Sequence, residues 1–83
     1  MDDGLTGLRT LAQYREGGRE HIFPSETSLE WTCRKHRAEL IREGALLLVS
    51  GRRMVNPPVF DAVVLAAARR AMAAQVTDEE GAP

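Results

Sequence analysis

A single cysteine, Cys33, in 83 residues rules out an internal disulfide, and its place on an apolar helical stripe marks it as a small buried hydrophobe. No apolar run approaches the length of a membrane span. The N-terminal Met1-Asp2-Asp3 is acidic, unlike a secretory signal, so a cytoplasmic protein without a membrane partner is expected. Also lacking are a Ser, His and carboxylate set, a glycine-rich phosphate loop and a paired-carboxylate pattern, so no enzyme is expected. Metal ligands are equally scarce. Cys33 and His36 stand three apart, but only His21 remains as a further nitrogen donor and a tetrahedral site needs more, so neither a metal nor another cofactor is expected.

What is present is enough for one small domain with a modest core. The chain is 43% apolar and 28% charged, the balance of an ordinary globular protein. A net charge of −1 would argue against a polyanionic partner if it were evenly spread. All 11 basic residues lie between Arg9 and Arg70, a stretch with only 7 acids and a balance of +4, while the other 5 acids sit in the two ends. Distribution, rather than the sum, creates a binding field.

The basic body centres on Pro24 to Val55. Pro24 cannot sit inside a helix, and Ser25 after it can accept from a free amide of the first turn, so a helix is expected to start at Ser25 or Thr27. Thr27 with Glu30 also has the spacing of a capping box. Gly44 can take the left-handed conformation that closes a helix, which predicts one continuous helix over residues 25–43. Leu29, Cys33, His36 and Leu40 share its core stripe with Ile41 at the margin, and Thr27, Trp31, Arg34, Lys35, Ala38 and Arg42 lie opposite. Ala45 to Val49, Ser50-Gly51 and Arg52 to Val55 then read as a β-hairpin with two arginines at its tip. A basic helix followed by such a hairpin is the layout of a winged helix-turn-helix: the helix enters the major groove and the wing tracks the backbone.

These segments resemble the small winged helix-turn-helix proteins of the excisionase and MerR-like type carried by phages and other mobile elements. The resemblance runs from about Leu8 to Phe60. It lies in Thr10-Leu11-Ala12-Gln13-Tyr14, Pro24-Ser25 through Leu29-Glu30-Trp31, Arg34-Lys35-His36-Arg37, Gly44-Ala45-Leu46 and Gly51 through Pro57. The linker from Glu16 to Pro24 is longer than the usual turn, and Glu26 and Glu30 bring acids to the helix, where a carboxylate can read cytosine N4. The resemblance implies a mainly α fold with a small β-hairpin (α+β), about three helices plus a two-stranded wing. It implies a sequence-specific double-stranded DNA-binding protein, either an excisionase-like recombination directionality factor working beside an integrase or a small transcriptional regulator. The residues expected at DNA are Ser25, Thr27, Ser28, Arg34, Lys35, Arg37, Arg52 and Arg53.

The remaining segments frame this unit. Residues 1–7 read as a flexible tail, and the domain as residues 8–76. Thr10 with Gln13 makes a capping box for a short first helix that Gly17-Gly18 must end, with Leu8 in an edge strand beside the hairpin. Ile22 and Phe23 read as plugs under the long helix. Trp31 is expected to pack under the hairpin or first helix, the alternative being exposure against DNA.

Asn56-Pro57-Pro58 should open a last helix, with Asn56 as its cap and Pro in its first turn, Ala-rich from Val59 to about Gln75 and burying Phe60, Val63, Val64, Ala67, Ala71 and Ala74. Its far side carries a second apolar strip, Leu65, Ala68 and Met72. That strip either packs loosely on the first helix or serves self-association, as a homodimer or a cooperative assembly on DNA. Residues 77–83 read as a disordered acidic tail. The competing functional class is a non-enzymatic adaptor that docks a partner through the Ala-rich helix.

Overall fold

The computed structural model describes the backbone of residues 4–81 and the side chains through Gln75. Residues 1–3 of the expected tail lie outside it, and Gly4–Gly7 form a single 3-10 turn, with the Leu8 N–H donating to the Leu5 carbonyl at 3.2 Å. The edge pairing falls one residue after Leu8. Arg9 and Val55 exchange both backbone hydrogen bonds, at 2.9 and 2.7 Å, and so attach the chain before the first helix to the hairpin.

Helix α1, Leu11–Glu16, opens on the expected capping box, with Thr10 and Gln13 satisfying each other's amide. It stops at Gly17, and Gly18 follows with φ +92°, which a side chain would oppose. The long linker is held from α1 itself. The Arg15 guanidinium donates to the carbonyls of Phe23 (2.7 Å) and Pro24 (2.6 Å), and a turn in which the Ile22 and Phe23 N–H groups donate to the Arg19 carbonyl at 3.0 and 2.9 Å lies between. Phe23 is buried as expected. Ile22 is not a plug: it is 52% exposed, because a turn that inserts one of two adjacent side chains directs the other outward.

The expected single helix over residues 25–43 is two helices. Helix α2 spans Glu26–Lys35 and α3 spans Arg37–Glu43, joined at His36 with φ −110° and ψ 28°. No proline or glycine marks the break. Its cause is tertiary: α2 packs on α1, whereas α3 packs on the last helix and the hairpin, and a straight rod cannot meet both. The cap is Ser25 with Ser28 rather than Thr27 with Glu30, which leaves the Glu30 carboxylate free for another partner. Gly44 closes α3 at φ +81°, as expected.

Strands β1, Leu46–Val49, and β2, Arg52–Val55, pair antiparallel with Val49 opposite Arg52. Ser50 and Gly51 both have positive φ, 53° and 75°, the two-residue turn whose twist matches the strands. Helix α4, Pro57–Gly81, is 25 residues long and begins with the Phe60 N–H donating to the Asn56 carbonyl at 2.8 Å. It passes the expected end near Gln75 and the expected start of a disordered tail at Thr77, since no helix breaker intervenes before Gly81. Residues 82 and 83 lie outside the described residues.

The core gathers Tyr14, Phe23, Leu29, Cys33, Leu40, Ala45, Val55, Phe60 and Val63. Tyr14 and Phe60 meet at 4.7 Å between ring centroids, tilted by 55°. The stripe expected on α4 is correct only in its first half: Phe60 and Val63 are buried and Val64 and Ala67 half-buried, whereas Ala71 and Ala74 are exposed. At 1.5 Å per residue α4 is about 37 Å long, in a molecule measuring 53 × 24 × 22 Å. It therefore outruns the domain. Leu65 and Met72 do not pack on α1 but are 54% and 60% exposed, because they lie on the side of α4 away from Phe60, Val63 and Ala67. The result is mainly α with one hairpin, compatible with an α+β winged helix. Among the described residues no helix is long and apolar enough to cross a membrane.

Candidate nucleic-acid interface

Helix α2 buries Leu29 and Cys33, and at about 100° per residue this fixes what the rest of its surface presents. Thr27 and Trp31 stand at the apex opposite the core. Glu30 and Arg34 occupy the flank toward the hairpin, and Ser28, Thr32 and Lys35 the flank toward α4. Each flank borders a groove. The first, of about 530 Å³, is lined by Glu30, Cys33, Arg34, Arg37, Ile41, Leu46, Leu47, Leu48 and Arg53. The second runs between α2 and α4 past Ile22, Trp31, Lys35, Val64 and Ala67.

Trp31 is 56% exposed, against the expectation that it packs under the hairpin or first helix. The α2 core face is filled by Leu29 and Cys33, and Trp31 lies on the opposite side. Its ring carries the Lys35 ammonium 4.8 Å from the centroid, a cation–π pair of the kind worth about 0.5–1 kcal/mol at exposed sites.

The residues expected at DNA separate into three groups. Ser25 and Ser28 are engaged in the α2 cap, where the Ser28 hydroxyl donates to the Ser25 carbonyl at 2.6 Å. Thr27, Arg34 and Lys35 are exposed on α2, and Arg37 is exposed beyond the His36 bend. The two wing arginines point apart, because successive strand residues face opposite sides. Arg52 is exposed at the tip opposite Val49. Arg53, opposite Leu48, turns toward α2 and grips Glu30 at both nitrogens, 3.0 and 2.6 Å. Among the described residues Arg34, Arg37 and Arg52 enter no ion pair, unlike Arg19, Arg42, Arg53 and Arg70.

Two polar clusters escaped sequence reasoning. The Arg53 hydrogen bonds hold the Glu30 carboxyl below its ordinary range, with Arg34 adding to the effect. Behind α1, Asp61 accepts from the buried Tyr14 hydroxyl at 2.6 Å and from Arg19 at 2.9 Å through each of two nitrogens. Arg19 first, and Tyr14 next, lower the Asp61 pKa, while burial and Asp61 push Tyr14 well above its usual value. No local signal links residues 14, 19 and 61, so only a three-dimensional arrangement reveals them. Cys33 is buried, and desolvation followed by the Glu30 charge pushes its thiol up to about 11, leaving it protonated and unreactive near neutral pH. Among the described residues no group of three His, Cys, Asp or Glu is placed to hold a metal ion.

The Asp61 cluster has a pH signature. Its lowered folded pKa means that its stability contribution is complete above the unfolded carboxylate value, about 3.9, and is lost as pH falls through the folded value. In urea titrations from neutral pH downward, the unaltered protein should therefore lose part of its advantage over Asp61→Asn below about pH 4. A difference between the two that stays constant down to acid unfolding would show that Asp61 contributes through packing alone.

Compared with protein-family models, with curated proteins and with solved structures, the chain matches none.

Proposed function

We propose that the chain is a non-enzymatic protein that binds double-stranded DNA, with α2 against the major groove and the β1–β2 wing on the backbone. The observation that carries it is the exposed cationic side chains of Arg34 and Arg37, which line the groove between α2 and the hairpin beside the apex of a capped helix, with Arg52 exposed at the wing tip. Cations left without a carboxylate partner are the ones available to release counterions from phosphate. Thr27, Arg34 and Lys35 are the side chains positioned for base edges, and Arg37 and Arg52 for phosphate. The likeness to excisionase and MerR-like proteins extends this to a recombination directionality factor beside an integrase, or a small transcriptional regulator, working in the cytoplasm.

The test is retention of the unaltered protein on random duplex at low and moderate salt. Binding that weakens linearly in the logarithm of salt concentration is expected. No retention at low salt would remove the proposal.

A second reading has its own observation. The side of α4 away from the core leaves Leu65, Ala68 and Met72 exposed, which supports docking of another protein, or pairing of two copies on adjacent sites. Sedimentation over the concentration range used for DNA separates these from a lone binder. A mass that stays monomeric throughout, free and on DNA, would remove pairing.

A further inference from the structure

The contact between Glu30 and Arg53 joins the helix proposed to read bases with the wing proposed to hold the backbone. Register sets it up: Leu46 pairs with Val55 and Leu48 with Arg53, so Arg53 shares a face with buried Val55 and is turned inward toward α2. Both of its terminal nitrogens are occupied by the two oxygens of one carboxylate, at 3.0 and 2.6 Å. This fork is the geometry in which arginine takes a phosphate. Yet the pair is open to solvent, its side chains 49% and 37% exposed, and ion pairs of that exposure are weakly held. Glu30 has no competing duty in the helix cap, which Ser25 and Ser28 complete between themselves.

We infer that Glu30 gates the wing: its carboxylate stands in for a backbone phosphate on Arg53, so that non-specific DNA does not engage this arginine and only Arg52 serves the wing. The gate rests on the DNA reading above. It gives the acid on α2 a role as a positioning residue that lowers sequence-independent affinity, rather than as a reader of cytosine.

The salt slope of binding to a random duplex counts the phosphates neutralised, about 0.9 for each. It therefore distinguishes release of a cation from simple removal of a repelling charge. Four proteins are compared at several salt concentrations: the unaltered chain, Glu30→Gln, Arg53→Gln and the double variant. Glu30→Gln is expected to bind roughly tenfold tighter at low salt, with a slope steeper by about 0.9. Arg53→Gln should keep the slope of the unaltered chain, and the double variant should return to it. Glu30→Ala, checked for helix content, repeats the first measurement with a different side chain.

A slope that falls by about 0.9 in Arg53→Gln and does not move in Glu30→Gln would place Arg53 on phosphate already and overturn the gate. Tighter binding by Glu30→Gln with an unchanged slope would overturn it too, as plain loss of repulsion. Unaltered protein that binds while these slopes fail removes the gate alone, and unaltered protein that never binds removes the DNA reading and the gate together.

Discussion

Phe60→Ala is expected to remove about 3–5 kcal/mol of folding stability. Phe60 is fully buried, and together with Asp61 it joins α4 to α1, stacked obliquely 4.7 Å from the Tyr14 ring. Truncating a buried Phe costs about 3–5 kcal/mol, the lost transfer energy plus a cavity that neighbours only partly fill. Against it stands a total stability of roughly 0.05–0.15 kcal/mol per residue, or about 4–12 kcal/mol for a domain of this size. The second consequence is on the far edge of the same ring. Tyr14 needs Phe60 to stay placed for its 2.6 Å bond to Asp61, so the polar cluster loosens with the core. Urea unfolding followed by far-ultraviolet circular dichroism checks this, with Met72→Ala as a control because Met72 is on the overhang and 60% exposed. A Phe60→Ala loss under about 1 kcal/mol, or one equal to that of Met72→Ala, would show that α4 is held by something other than this contact.

The parts of the fold legible in the sequence are those decided within about four residues. Thr10 and Gln13 cap α1, Ser25 caps α2, Gly44 ends α3, and Ser50-Gly51 turns the hairpin, each because side-chain chemistry or a positive φ acts on its immediate neighbours. The break at His36 is illegible because Cys33 and Leu40, seven residues apart, are buried whether the helix is straight or bent. Only the different partners of α2 and α3 require the bend. Trp31 reads as core on residue type, whereas its position opposite Leu29 and Cys33 points outward. The reach of α4 beyond Ala67 could not be seen either, since an Ala-rich helix reads alike over a core and over solvent.

The candidate site divides along the same line. Periodicity placed Thr27, Arg34 and Lys35 on one face of α2, and the hairpin signal placed Arg52 and Arg53 beside them. What periodicity could not supply was the pairing state of each cation. Alternation along β2 turns Arg53 in and Arg52 out, and Glu30 then neutralises one of them. Two adjacent arginines of equal appearance in the sequence thus have different availability in the fold.

Replacing Arg34, Arg37 and Arg52 together by Ala is expected to cause the largest loss of DNA binding. These three are exposed and, among the described residues, outside any ion pair, so each is free to meet DNA, Arg37 and Arg52 at phosphate and Arg34 at a base edge. Two lost phosphate contacts should flatten the salt slope by about 1.8 and weaken retention on random duplex by roughly one to two orders of magnitude near 0.1 M salt. Stability should hardly change, since exposed substitutions away from caps and pairs fall within about 0.5 kcal/mol each. That separation makes the experiment informative: a folded protein, verified by its urea midpoint, that no longer binds. Arg69→Ala is the comparison, because Arg69 is also exposed and outside those ion pairs but belongs to α4 rather than to α2, α3 or the wing. It should alter the slope little if binding is localised on α2 and the wing. A triple variant that binds as tightly as the unaltered chain would mean that this surface does not meet DNA. A single Arg69→Ala loss as large as the average of the three would mean that the field of the whole molecule, and no particular face, holds the polyanion.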